Sequence, residues 1–252
     1  MCRMLAYSGS GALLRELYDA LVKVASADPL DGYKAHGDGW GLLFLTPRSL
    51  LHYASASPIF SEGPPALPSG PQLTMIHARM ASAGSVDLAR AHPFVIRGQR
   101  SIVALAHNGS ASPEAVLRAA RRHGLELRPG PGTSDTELMA HLVAGACDLT
   151  GREGVEACYA ELMEACKTSL DSLILSVDLE GMEAAMWAVQ AVCDRESEEY
   201  YRLHVAEGDG FRAAASSSVA LVTGRLGWRP LSKGDFGVEE VGTLRLDILR
   251  QP

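Results

Sequence analysis

The order in which periodicities change along the chain is what most restricts its fold. Apolar runs of strand length stand at the front, helical patterns fill the middle, and strand-length runs return at the end. At the front, CRMLAYS (2–8) reads as a strand. LLRELYDALVKVASA (13–27) follows as a helix, with Leu14, Leu17, Leu21 and Val24 on one face. GWGLLFLT (39–46), LLHYA (50–54), QLTMIHARM (72–80) and SIVALAHNG (101–109) are further strand-length runs. The Pro-, Gly- and Ser-dense stretch 57–72 is a loop. Helices are expected over 112–124 with Ser112 as N-cap, 134–148 with Ser134 and Glu137 as a capping box, and about 153–167. SLILSVD, MEAAMWAVQAV, YRLHVA, FRAAA and VALVTG then read as successive strands. Strands at both ends with helices between them call for a layered α/β (α+β) domain in which strands remote in sequence share sheets. We read residues 1–252 as one such domain.

Composition narrows the function classes. A formal charge of −7 gives no electrostatic reason to expect nucleic acid or an anionic membrane as partner. No apolar run reaches transmembrane length, and the N-terminus lacks the pattern of a secretory signal, so a cytoplasmic protein is expected. The five cysteines include no CxxC pair, which predicts neither a disulfide framework nor a zinc site. Cys147, Cys158 and Cys166 are read as buried thiols. His36 and Asp38 in HGDGWGL are two metal-type ligands without a further cluster, and no metal is expected.

Cys2 follows the initiator Met and admits two readings. A free Cys often serves as a small buried hydrophobe, here at the start of a strand. If Met1 is removed, however, Cys2 carries its own base, an α-amine with a pKa of roughly 7.7–8. Three other segments bear on the choice, each with an ordinary structural alternative. Arg79, at the end of IHARM, is suited to a bidentate contact with a carboxylate, or to a salt bridge. In AHNGSAS, the Asn108 amide and Gly109 N–H can form an oxyanion hole, or merely a turn. Asp135, in the first turn of a helix, can cap it or receive a substrate ammonium.

Taken in order, MC, DGWG, HARMAS, AHPF, AHNG and SDTE resemble the class II glutamine amidotransferases, a family of N-terminal nucleophile (Ntn) hydrolases. The match runs from residue 1 to about 140 and is most similar to the stand-alone branch, which includes the ergothioneine-pathway γ-glutamyl amidohydrolase. The resemblance implies a four-layer α-β-β-α sandwich of two stacked, mainly antiparallel sheets. It implies Cys2 as nucleophile and base, Arg79 and Asp135 as holders of the substrate's α-carboxylate and α-amino group, and Asn108 and Gly109 as the oxyanion hole. Gly39, Trp40 and His92 are implied beside the site as substrate-binding positions. No cofactor is implied. The expected activity is hydrolysis of a γ-glutamyl amide, glutamine to glutamate and ammonia, through a Cys thioester. A separate synthase subunit would then receive the ammonia, and self-association is compatible with this. The alternatives are a γ-glutamyl amidohydrolase acting on a peptide or thiol-histidine conjugate, and a silent binding or regulatory module. Two departures bear on the substrate: Ser82-Ala83-Gly84 stands where the aminosugar-synthesising relatives carry Thr-His-Gly, and Arg90 where Asn is frequent.

Overall fold

The computed structural model describes residues 2–63, 65–81, 86–98 and 100–247. Met1 and Ser82-Ala83-Gly84, on which two of the expectations above fall, lie outside them.

Among the described residues the strands form two antiparallel sheets. One has the order β11-β9-β10-β1-β4-β2-β3 and the other β12-β8-β7-β6-β5. The first is built from β1 (Arg3–Gly9), β2 (Trp40–Thr46), β3 (Ser49–Ser55), β4 (Gln72–Ala78), β9 (Leu203–Gly208), β10 (Phe211–Ser216) and β11 (Arg229–Pro230). The second contains β5 (Phe94–Arg97), β6 (Ser101–Ala111), β7 (Cys166–Asp178), β8 (Glu183–Ala191) and β12 (Phe236–Arg245). The front strand β1 is flanked by β4 and by β10, which lies two hundred residues away along the chain. The sequence pattern demanded this sharing of sheets.

Three apolar layers hold the stack together. Met4, Leu43, Met75, Ala104, Leu173 and Met186 fill the space between the sheets. On the outer face of the first sheet, α1 (Ala12–Ser26) buries Leu14, Leu17, Leu21 and Val24 against Leu5 and Ile76. On the outer face of the second, α2 (Pro113–Arg122), α3 (Asp135–Ala146) and α4 (Arg152–Leu162) cover Val103, Leu105 and Ile174. The result is the expected α-β-β-α sandwich. Helix entry follows the sequence signals. Ser112 Oγ accepts from the Ala115 N–H at 3.3 Å, and Ser134 Oγ from the Glu137 N–H at 3.0 Å.

Three expectations are corrected. VALVTG is not a strand: β10 stops at Ser216 and a short helix (Ser217–Val222) begins. A four-residue apolar run does not distinguish the two states. Here Val219 and Ala220 turn inward while Leu221 is 59% exposed, a one-sided burial that suits a helix. The helix expected over 153–167 ends at Leu162, because Cys166 already pairs with Ala111 at the head of β7. The cysteines, finally, are not all free thiols. Cys147 is bonded to Cys158 and Cys166 to Cys193, with Cα separations of 5.5 and 6.4 Å. The spacings carry no local signature because tertiary packing brings each pair within bridging range. Cys2 is the free cysteine among the described residues.

Candidate active site

The two sheets end together at one edge of the sandwich. There the start of β1, the end of β4, the end of β6 and the start of α3 converge. A cavity of about 320 Å³ opens at this edge, and Cys2, Arg79, His92, Gly109 and Asp135 all line it. Five positions spread over 134 residues of sequence thus share one wall.

Cys2 is 8% exposed, with Sγ 3.8 Å from the Met80 carbonyl. Its backbone N–H donates to Asn108 Oδ1 at 2.8 Å, a bond that joins the two sheets. Asn108 is fully buried behind it, and its Nδ2 has no partner among the described residues. A buried amide N–H left unpaired is costly unless a ligand completes it. Gly109 follows at φ +142°, where a side chain is strained, and a Cβ there would collide with the Ser169 carbonyl. Beyond it the β6–β7 ladder loses register between Gly109 and Ala111, so that Ala111 turns its N–H to Asp135 Oδ2 at 2.8 Å. Asp135 Oδ1 accepts from its neighbour's N–H, that of Thr136, at 2.8 Å. Asp135 therefore fixes the helix start to the end of β6 and also faces the cavity.

The DGWG segment acts from behind. Asp38 N–H donates to the Arg79 carbonyl at 3.0 Å and Arg79 N–H to the Gly39 carbonyl at 2.9 Å, extending the β2–β4 pairing past its last strand pair, Trp40 and Ala78. Asp38 Oδ2 takes the Ala81 N–H at 2.8 Å, and its carbonyl accepts from Arg79 Nη1 at 3.3 Å. Asp38 is thus a brace for the Arg79 corner. His36 is far from it in role, bonded through Nε2 to Asp28 Oδ2 at 2.8 Å. No group of three or more metal-type side chains is assembled among the described residues. Gly39 and Trp40, read as substrate-binding, do not line the cavity. Trp40 is buried against Tyr18 and Tyr53, with its indole N–H on Glu62 at 3.1 Å. Gly39 serves through its backbone.

A second buried network stands directly behind Cys2. Arg3, fully buried, pairs with Asp28 and donates Nη1 to the Tyr200 carbonyl at 3.0 Å. Burial alone would raise the Asp28 pKa, but bonds from His36, Arg3 and Ser218, with the charge of Arg3, hold it well below the usual carboxylate range.

Residue types alone did not single out three contributors. His77 and His107 lie inside the IHARM and AHNG motifs and, with His92, form a buried trio. Burial pushes His77 down to about 3 and lowers His92 and His107 as well, so all three are neutral at neutral pH. Lys167, in the irregular stretch of β7, adds a cation to the cavity wall beside Arg90. Its signal was its place beside a cysteine whose pairing was not foreseen.

No protein-family profile matches the chain, and no curated protein matches it in sequence. Solved structures do match in fold. One, titled as the allosteric regulatory enzyme of purine biosynthesis, has a TM-score of 0.61 at 18% identity over 98% of this chain. A second, the glutamine phosphoribosylpyrophosphate amidotransferase from B. subtilis complexed with ADP and GMP, has a TM-score of 0.58 at 15% identity over 96% of this chain. The present chain spans about half the length of either, 50% and 49%. At these identities the likeness establishes a shared fold, a sandwich of two antiparallel sheets with helices on its outer faces.

Proposed function

We propose that this chain is a glutamine amidotransferase-type amidohydrolase that cleaves a γ-glutamyl amide through Cys2. The observation that carries the proposal is the Asn108 side chain. Its oxygen holds the Cys2 nitrogen at 2.8 Å while its Nδ2 is buried without a partner, beside a cavity that also presents Arg79 and Asp135. A γ-glutamyl amide matches that inventory. Its zwitterionic head takes one cation and one carboxylate, and its scissile carbonyl takes a nucleophile and two N–H donors.

Removal of Met1 frees the Cys2 amine to take the thiol proton. The thiolate then adds to the amide carbon, and the charge that develops on the oxygen is met by Asn108 Nδ2 and the Gly109 N–H. The C–N bond breaks as the ammonium returns its proton to the leaving nitrogen. A glutamyl thioester remains and ammonia or an amine departs. Water, losing a proton to the same amine, hydrolyses the thioester to glutamate and restores the thiol. Free ammonia would pass to a separate synthase subunit.

The test is release of glutamate from glutamine and from a panel of γ-glutamyl conjugates, on protein whose intact mass shows Met1 removed. Labelling by a glutamine-like electrophile, lost in Cys2→Ala, accompanies it. Absence of both from the processed protein refutes the proposal and leaves a silent binding module.

A second reading, hydrolysis of a conjugate whose amine part is itself anionic, is favoured by the cavity wall. Arg90, which also pairs with Asp87 at 3.6 Å, and Lys167 line it in addition to Arg79, and among the described residues of the wall Asp135 is the one carboxylate. Free glutamine has no group for two further cations.

A further inference from the structure

The edge of β6 just before the Asn108-Gly109 pair has lost its neighbouring strand. β5 pairs with β6 from Arg97 and Ile102 up to Phe94 and Leu105, and then ends. Continued in register, the backbone of residue 92 would lie opposite residue 107. Position 93 is a proline, which has no N–H to give a ladder, and the strand stops there. The N–H and C=O of His107 are then buried groups on an open edge, and such groups need partners.

Two imidazoles supply them. His77, reaching across from β4 of the other sheet, places Nε2 3.3 Å from the His107 carbonyl. His92 places Nδ1 3.5 Å from the His107 N–H, and the two ring nitrogens are 3.1 Å apart. One proton arrangement is consistent with all three contacts, with the His77 proton and the His92 lone pair each shared between two partners. A carbonyl accepts, so His77 Nε2 carries the hydrogen. An N–H donates, so His92 Nδ1 is a bare lone pair, and the His77 proton faces it. The neutrality imposed by burial is what this arrangement requires. The carbonyl of His92 packs against Gly41, where a Cβ would collide with it, so the GWG segment also gives this loop its seat. On the far side of the strand, His107 donates Nε2–H to the Ser169 carbonyl at 3.0 Å and accepts from the Thr136 hydroxyl at 3.0 Å.

We infer that His77 and His92 are positioning residues: their rings stand in for the missing strand and fix β6 so that Asn108 and Gly109 aim their N–H groups at the carbonyl oxygen bound beside Cys2. The inference rests on the amidohydrolase reading above. It assigns neither ring a contact with substrate or a proton transfer.

The test compares substitutions that keep or remove the needed atom. Asn at position 92 retains an acceptor at the δ position, and Gln at position 77 retains a donor at the ε position. His92→Leu and His77→Leu should lower kcat on a γ-glutamyl amide by about 10²-fold with KM changed less than about twofold, as expected for misplaced groups that act in the transition state. His92→Asn and His77→Gln should stay within about fivefold of the parent. Alkylation of Cys2 by iodoacetamide, which develops no oxyanion, should keep the parent rate in all four variants. Leu variants that fold and retain kcat overturn the inference, as does a loss of alkylation equal to the loss of kcat. Should the Leu variants fail to fold, nitrogen NMR of the parent decides. A bare His92 Nδ1 coupled to the His107 amide supports the clamp, and a protonated Nδ1 overturns it. A parent protein that releases no glutamate from any γ-glutamyl amide refutes the reaction instead, a result separate from the NMR signature.

Discussion

Asn108 Oδ1 holds the Cys2 nitrogen at 2.8 Å, so in the proposed reaction the residue that orients the base would also carry the unpaired N–H that meets the oxyanion. Both functions are lost together in Asn108→Ala. Arg79 and Asp135, which would bind the substrate head, are untouched. We expect kcat on a γ-glutamyl amide to fall by about 10²–10³, or about 2.7–4 kcal/mol, with KM changed only a few-fold. Steady-state kinetics on Met1-processed protein reads the split. A variant with parental kcat removes Asn108 from the oxyanion hole.

The disulfides predict a thiol count. Unfolded without reductant, the protein should titrate a single thiol, that of Cys2, and all five cysteines only after reduction. The bridged positions are 11 and 27 residues apart, and closing loops of that size restricts the unfolded chain by about 3 kcal/mol each. Reduction should therefore lower the melting temperature by several degrees. The bridge at Cys166 should matter more to activity, because Cys166 pairs with Ala111 at the irregular end of β6. Five titratable thiols in unreduced protein would refute both bridges.

Asp171 predicts how stability depends on pH. It is fully buried, directly across from Asn108, and desolvation lifts its pKa to about 8 despite bonds from the Ala191 N–H and Ser169. A carboxyl raised in the folded state and ordinary, about 3.9, when unfolded binds more protons folded. Its contribution is fully present below about pH 4 and is lost as pH rises toward 8, at up to about 1.4 kcal/mol per pH unit. Asp171→Asn should flatten that slope, matching the parent at pH 4 and exceeding it at pH 8. Urea midpoints at the two pH values check this. An unchanged slope would show that Asp171 is not the group responsible.

Much of the site could be read from the sequence because its parts are local. Capping serines mark α2 and α3, an Asn-Gly pair marks the irregular end of β6, and an Arg follows an apolar strand. Each was ambiguous alone, and the resemblance supplied their grouping. What escaped was tertiary. Asp38 looks like a ligand until Ala81 and Arg79 are seen to fold back onto it. His77 and His107 lie in motifs whose other residues drew the reading, and what they hold appears only once β5 is seen to end short of His107. The cysteine pairs and the helical state of Ser217–Val222 depend equally on which segments pack together, which no window along the chain contains.

The extra cations separate the two substrates. If Arg90 and Lys167 meet an anionic amine part, removing them should be felt by a conjugate and not by glutamine. For Arg90→Ala with Lys167→Ala, we expect kcat/KM on a γ-glutamyl dipeptide with a free C-terminal carboxylate to drop about tenfold, the worth of one charged hydrogen bond. Glutamine should change less than about twofold, since Arg79 remains for its carboxylate. Raising salt should erode the parent's preference for the dipeptide, because Lys167 is exposed and its field is screened. Equal losses on both substrates would place these cations at the glutamyl head and leave free glutamine as the better substrate.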